Sequence, residues 1–366
     1  MMADFEIPSG PKALTPEWLT QALRSTGTIN NSTVKSFSME MIGEGQAFTG
    51  QIARLSLNYD IDEESAPKSL IAKFPASDPN LRTIWNRYHL YEREIRFYKE
   101  IAKGIDLRIP RCYYGDLDIE AGESVLILED ITKARVGDNV TGCSFEDAEL
   151  TFRSLGKFHA AWWESPQLDD VGWIPAFNHG ADYVQGLYQQ SWGPFLDKFG
   201  NQVHDSFLEL GAWLGRNVAN IRNRLAESPR TLIHGDLRLD NLLFSSSENG
   251  TSLIVIDWQF IGRGRSVSDI AYFLVFCLPP EQRRGMEKSL LKIYHSVLIE
   301  AGVRRYDFDQ FLYDYRLSVL QILQRLVVSV GVLDFTSERG QSLMKAIFER
   351  CIAAADDHGV YELMLE

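Results

Sequence analysis

Cysteine is scarce: Cys112, Cys143, Cys277 and Cys351 lie far apart in 366 residues and form no CxxC pair. They give neither a zinc-ligand spacing nor a disulfide framework, so a reduced, cytoplasmic setting is expected. Long apolar runs are missing too. Stretches such as Ile270–Leu278 fall far short of the ~20 residues that span a bilayer, so no membrane association is expected. The start, MMADFEIPSG, is acidic and has no apolar core, so no secretory leader is expected. Basic residues are outnumbered, 37 against 50 acidic, for a net charge of −13. Such a surface repels a phosphate backbone, which argues against nucleic acid as a partner. No internal repeat or long low-complexity stretch occurs. With 45% hydrophobic and 24% charged residues, the composition is that of a globular chain of two to three units by the usual ~150 residues per domain.

The patterning changes along the chain. Thr15 and Pro16 read as the cap and first position of a helix carrying Trp18, Leu19, Ala22 and Leu23. From about Val34 to Lys73 the period is two, with one strand over Gln51–Tyr59 and another over Ser69–Phe74. The spacing then predicts one long helix from Arg82 to Ala102, its inward face formed by Tyr88, Tyr91, Ile95, Tyr98 and Ala102. Strands are expected near Cys112–Asp116 and Ser124–Leu128. From Phe145 onward the signal is mostly helical, interrupted by β-like runs between Thr231 and Asp257. An α+β chain results, with a β-rich N-terminal lobe over residues 1–132 and a mostly helical C-terminal lobe over 133–366.

The chemistry concentrates in Leu232-Ile-His-Gly-Asp-Leu-Arg-Leu-Asp-Asn-Leu-Leu-Phe244. Asp236 is followed five residues later by Asn241, and a strand then ends on Asp257. Each polar residue alone is an ordinary turn or strand end. In this order they supply what phosphoryl transfer needs: a carboxylate, Asp236, to orient and deprotonate a hydroxyl, and two oxygen ligands, Asn241 and Asp257, for Mg2+. The spacing is that of a kinase catalytic loop and its metal-binding aspartate.

The loop, reading H-G-D-x-x-x-x-N, resembles that of the aminoglycoside phosphotransferase and choline kinase superfamily. Asp257-Trp-Gln, the Phe-Tyr pair after Glu94 and Leu155-Gly-Lys-Phe-His-Ala160 are similar to its ecdysteroid-kinase-like branch. The resemblance implies a two-lobed, protein-kinase-like fold using ATP and Mg2+. It implies that Lys73 holds the α- and β-phosphates, with Glu94 a better-placed ion-pair partner than Glu92. The Gly43-Glu-Gly45-Gln-Ala-Phe-Thr-Gly50 stretch would cover the triphosphate, since glycine lets backbone amides approach phosphates. A dinucleotide fingerprint fails there at Phe48, and a Walker loop fails at Gln51 and Ile52. Glu129 and Ile131 would hold adenine through backbone groups. Arg238, where protein kinases carry a lysine, would neutralise the transferring phosphoryl group or pair with Asp240. Asp269 would tie the catalytic loop to the helical core, cap its own helix, or both.

No Ala-Pro-Glu anchor follows Asp257, and only eleven residues separate it from Asp269. A peptide-docking segment has no room, so the acceptor is expected to be a small hydroxylated molecule. The aromatic cluster from Trp162 to Trp192 reads either as core or as a wall for a hydrophobic acceptor, and the negative net charge points to a cationic one. The expected activity is ATP- and Mg-dependent O-phosphotransfer. A nucleotide-binding module without turnover and a nucleotidyl transferase on the same fold are the alternatives.

Overall fold

The computed structural model describes residues 5–42, 50–247, 250–332 and 338–365. The contacts divide the chain into two compact units, Met1–Ala134 with Val255–Phe260, and Arg135–Ile254 with Ile261–Glu366.

The first unit opens with α1 (Pro16–Ser25), whose Thr15 Oγ1 accepts the Trp18 N–H at 3.1 Å. That bond satisfies one of the amides a helix start leaves without a partner. Then come β1 (Val34–Ile42), β2 (Gly50–Tyr59), β3 (Ser69–Pro75), β4 (Cys112–Asp118) and β5 (Glu123–Glu129). They form one antiparallel sheet in the order β1-β2-β3-β5-β4. Ala53, Leu55 and Leu57 of β2 and Leu70, Ala72 and Phe74 of β3 join Leu19, Ala22 and Leu23 of α1 in one core. Because strand side chains alternate, Lys73, paired with Ile52 and Leu126, points to the opposite face.

The long helix expected over Arg82–Ala102 is broken. It consists of α2 (Pro79–Arg87), α3 (Leu90–Arg96) and a wide turn over Phe97–Ile101. His89 separates the helices at φ 56°, a left-handed conformation that histidine enters more readily than most residues. Of the expected inward face, Ile95 and Tyr98 are buried and Tyr88, Tyr91 and Ala102 half-buried, while Leu90, Glu94, Phe97 and Ile101 are buried as well.

The second unit contains β6 (Ala134–Val136), α4 (Phe145–Ala161), α5 (Gln167–Asp170), α6 (Ala181–Phe199) and α7 (Asp205–Ala226). It continues with β7 (Thr231–Ile233), β8 (Leu242–Ser247), β9 (Gly250–Val255) and β10 (Gly262–Gly264). Strand β7 pairs with β10, and the remaining three form a sheet in the order β6-β8-β9. The helices α8 (Val267–Tyr272), α9 (Pro280–Glu300), α10 (Phe308–Val332) and α11 (Glu338–Asp357) complete it. Helix α10 is buried almost throughout from Phe311 to Val327. Among the described residues, no helix is long and apolar enough to cross a membrane.

Candidate active site

In the first unit, Lys73, Glu94 and Asp257 come together. Lys73 Nζ lies 2.6 Å from Glu94 Oε1 and 2.8 Å from Asp257 Oδ1. The alternate face of β3 presents the lysine and the inward face of α3 presents Glu94. Asp257 enters with residues 255–260, anchored by the Val255 N–H on Arg108 O at 3.0 Å and by the Trp258 ring stacked on Phe97 at 4.1 Å. Asp257 itself has φ 67°, which a short polar side chain tolerates better than a branched one. Its other oxygen accepts from Gln259 Nε2 at 3.2 Å. Glu92 instead pairs with His89 and Arg96.

Charge is unbalanced in this cluster, with two carboxylates for one ammonium. Burial alone would pull the Lys73 ammonium down, but Asp257 and Glu94 outweigh it, and the group is held above its ordinary range. Burial pushes the Glu94 carboxyl up; Asp257 adds to that rise, while Lys73 and the Trp258 N–H oppose it without cancelling it.

The other first-unit candidates lie apart from this triad in the sequence. Gly50 opens β2 at a point where a Cβ would come within 2.5 Å of Phe74 O. Close strand approach therefore already demands glycine there. Gly43 and Gly45 lie outside the described residues. Glu129 ends β5, its carboxylate bound by Arg108 at 2.6 Å and 2.7 Å and by the Arg111 N–H at 2.9 Å. Its own N–H donates to Arg111 O at 2.8 Å. Ile131 follows two residues on, half-buried.

In the second unit, Asp236, Arg238 and Asn241 share one loop after β7. Gly235 turns it at φ 80°. Asp236 Oδ1 accepts the Tyr272 O–H at 2.8 Å, and Asn241 Nδ2 donates to Asp236 O at 2.9 Å and Oδ2 at 3.2 Å. With its amide nitrogen so engaged, Asn241 presents its carbonyl oxygen elsewhere as a hard donor. Arg238 Nε lies 3.4 Å from Asp236 and its Nη1 3.9 Å from Asp240, so the arginine is shared between the two carboxylates. Tyr272 is buried, and burial together with the Asp236 charge holds its phenol well above its ordinary range, so it stays a donor.

Asp269 fastens this loop. It accepts the His234 N–H at 2.6 Å, the Gly235 N–H at 2.9 Å and contacts His159 Nε2 at 3.3 Å, while His159 Nδ1 meets Tyr294 Oη at 2.7 Å. Burial would raise the Asp269 carboxyl, but His159, His234 and the Gly235 amide outweigh it and hold it below its ordinary range. It does not cap its helix, which starts two residues earlier. The loop's other side rests on Asn139, whose Oδ1 accepts the Leu239 N–H at 3.4 Å and whose carbonyl is held by Arg350 at 2.6 Å. Arg325 adds a bond to Gly235 O at 2.9 Å and lies over the Tyr272 ring at 4.9 Å.

The sequence profile of the ecdysteroid kinase-like family matches residues 44–308. The chain belongs to the ecdysteroid kinase-like family. Solved kinases share the fold of this family member: the choline kinase of Cryptosporidium parvum Iowa II has a TM-score of 0.51 at 14% identity, covering 92% of this chain and 95% of that one. An ethanolamine kinase of Plasmodium vivax has a TM-score of 0.52 at 14% identity, covering 90% and 85%. Among curated sequences, human acyl-CoA dehydrogenase family member 11 is 26% identical over 199 residues, 52% of this chain and 24% of that protein. The chain thus spans about a quarter of the length of the curated relatives it matches. At such identities the structural likeness concerns the fold, here the α+β, protein-kinase-like one.

Sequence reasoning missed Tyr272, Asn139, Arg325 and Arg350. Tyr272 alone had a usable signal, standing one helical turn after Asp269 and so on the same face. The aromatic cluster divides. Trp162, Phe177, Tyr188 and Phe195 are buried, and Trp192 stacks between Tyr188 at 6.0 Å and Phe195 at 5.3 Å. Its ring lies on Gly211, where a Cβ would come within 2.0 Å, so this part of the cluster joins α6 to α7. Tyr183 is exposed.

Proposed function

We propose that this protein is an ATP- and Mg-dependent O-phosphotransferase acting on a hydroxyl of a small molecule. The observation that carries the reading is the Lys73 ammonium held between Glu94 and Asp257, at 2.6 Å and 2.8 Å, in a member of a kinase-like family. A half-buried lysine kept charged by Asp257 and Glu94 is suited to gripping α- and β-phosphates. Family membership and the ordered loop support the same reading.

The donor set fits Mg2+. Asp257 and Asn241 each offer a side-chain oxygen, the hard donor that Mg2+ takes. A magnesium ion held by one or two protein oxygens and completed by substrate phosphates suits that inventory. When bound, the ion would neutralise charge on the phosphates. Asp236 orients the acceptor hydroxyl and takes its proton, with Tyr272 and Asn241 fixing the plane of the carboxylate. Arg238 has the charge to meet the transferred phosphoryl group. Lys73 aligns the nucleotide. Ile131 and Glu129 contribute backbone groups at the adenine, and the Gly43–Gly50 stretch covers the triphosphate. Positioning and charge neutralisation then supply most of the rate.

Slow ADP release from ATP and Mg2+, with water as acceptor, tests this without knowing the substrate. Release should fall in Asp236→Asn with ATP binding retained, while Asp257→Ala should lose Mg-dependent ATP binding by calorimetry. Unchanged affinity in Asp257→Ala would overturn the metal assignment. Pyrophosphate in place of ADP would mean nucleotidyl transfer.

A further inference from the structure

Both carboxylate oxygens of Asp257 have protein partners within the first unit. Oδ1 accepts from Lys73 Nζ at 2.8 Å and Oδ2 from Gln259 Nε2 at 3.2 Å. The two partners differ in freedom. Gln259 is only 5% exposed and follows Trp258, whose buried ring stacks on Phe97, so its amide is fixed in place. Lys73 carries its ammonium on a flexible four-carbon stem. A second carboxylate, Glu94 Oε1 at 2.6 Å, also holds it, so the ammonium can turn from Asp257 without leaving the cluster.

The two carboxylates are not equally open. The Glu94 side chain is 6% exposed and that of Asp257 17%, so Asp257 is the one an incoming cation reaches. Its Oδ1, the oxygen that the fixed Gln259 does not hold, is the one Lys73 takes.

On the transferase reading above, we propose that Lys73 and the divalent ion compete for Asp257 Oδ1, and that the nucleotide decides the competition by drawing the ammonium onto its phosphates. Two cations on one carboxylate oxygen repel each other, so the lysine disfavours the ion while it lies on Asp257. Phosphate oxygens offer the ammonium an equivalent anionic partner, and Glu94 keeps it in reach of them. Gln259 meanwhile holds Oδ2, so the released Oδ1 keeps its aim. Nucleotide and metal thereby favour each other's binding, and by linkage the coupling is reciprocal. The same contact opposes nucleotide that arrives without metal, because the lysine must then leave Asp257 with no cation to replace it.

The test is ATP binding to the full chain by calorimetry, in EDTA and again with Mg2+, for wild type, Asp257→Asn, Lys73→Met and the double variant. In EDTA, Asp257→Asn should bind ATP about 10-fold tighter than wild type, the scale of one hydrogen bond to a charged group. The double variant should show no such gain over Lys73→Met, because no ammonium remains to be released. An equal gain in both backgrounds would mean plain repulsion between Asp257 and the phosphates, and would overturn the competition. Glu94→Gln gives a second reading that does not depend on the folding of Lys73→Met. With Asp257 left as the only carboxylate on Lys73, the Mg2+ concentration for half-maximal ATP binding should rise about 10-fold; an unchanged requirement would count against the competition. Wild type that binds no ATP even with Mg2+ would overturn the transferase reading and this inference together. Mg-dependent ATP binding with no gain for Asp257→Asn in EDTA would overturn the competition alone.

Discussion

Two buried carboxylates, one in each unit, respond to burial in opposite ways. Glu94 and Asp269 are 5% and 1% exposed, and for both the largest influence is desolvation, which raises a carboxyl. Glu94 stays raised because its one cationic partner, Lys73, is shared with a second carboxylate, Asp257. Asp269 ends lowered because the groups around it, the His159 and His234 side chains and the Gly235 amide, all favour its charged form. Partner stoichiometry, not depth, sets the sign. A site built on shared charge gives up stability to keep a lysine charged and aimed, whereas a site built on dedicated donors gains stability and fixes geometry.

Replacing Glu94 by Gln should separate the two sides of this contrast most widely. Turnover should fall by about 100-fold as Lys73 loses its aligning charge, yet the melting temperature should hold or rise, since a strained carboxylate is gone. Steady-state kinetics with thermal denaturation check both, and a large loss of stability would erase the distinction between the sites. Asp269→Asn should do the reverse. An amide cannot accept both the His234 and Gly235 N–H groups with two oxygens, so about 2–3 kcal/mol of stability should be lost by urea denaturation near neutral pH. The sign with pH follows from the lowered carboxyl. Its stabilisation is fully present above the ordinary aspartate range near 4 and is lost as pH falls through the lower folded value. The gap between wild type and Asp269→Asn should therefore close only in acid; a gap closing above pH 5 would contradict the donor-rich account. The smallest effect belongs to Tyr272→Phe, which removes one of the bonds orienting Asp236. A fall in kcat of about 5-fold with ATP affinity unchanged is expected, and a change in ATP affinity instead would mean that Tyr272 does not act through Asp236.

Much of this arrangement was legible from residue order. The Thr15 cap, the period-two strands and the Asp236-to-Asn241 loop are local patterns, in which neighbours within five residues determine the conformation. Lys73 and Asp257 could be named from the resemblance and the loop spacing, and Glu94 rather than Glu92 from the face of its helix. The single expected helix over Arg82–Ala102 is broken, because the left-handed turn at His89 interrupts the backbone while leaving the apolar spacing nearly continuous in sequence.

Residue order settled the family, the α+β division and the identity of the polar residues in the loops. Tertiary packing decided that Val255–Phe260 groups with the N-terminal sheet unit, that Asp269 fastens a loop rather than capping a helix, and that Tyr272 orients Asp236. The physical reason is separation along the chain. Tyr272 reaches Asp236 across 36 residues, Arg325 reaches Gly235 across 90, and Asp257 reaches Lys73 across 184. No periodicity encodes such pairs. They exist only once packing of the apolar faces has brought distant segments within hydrogen-bonding distance.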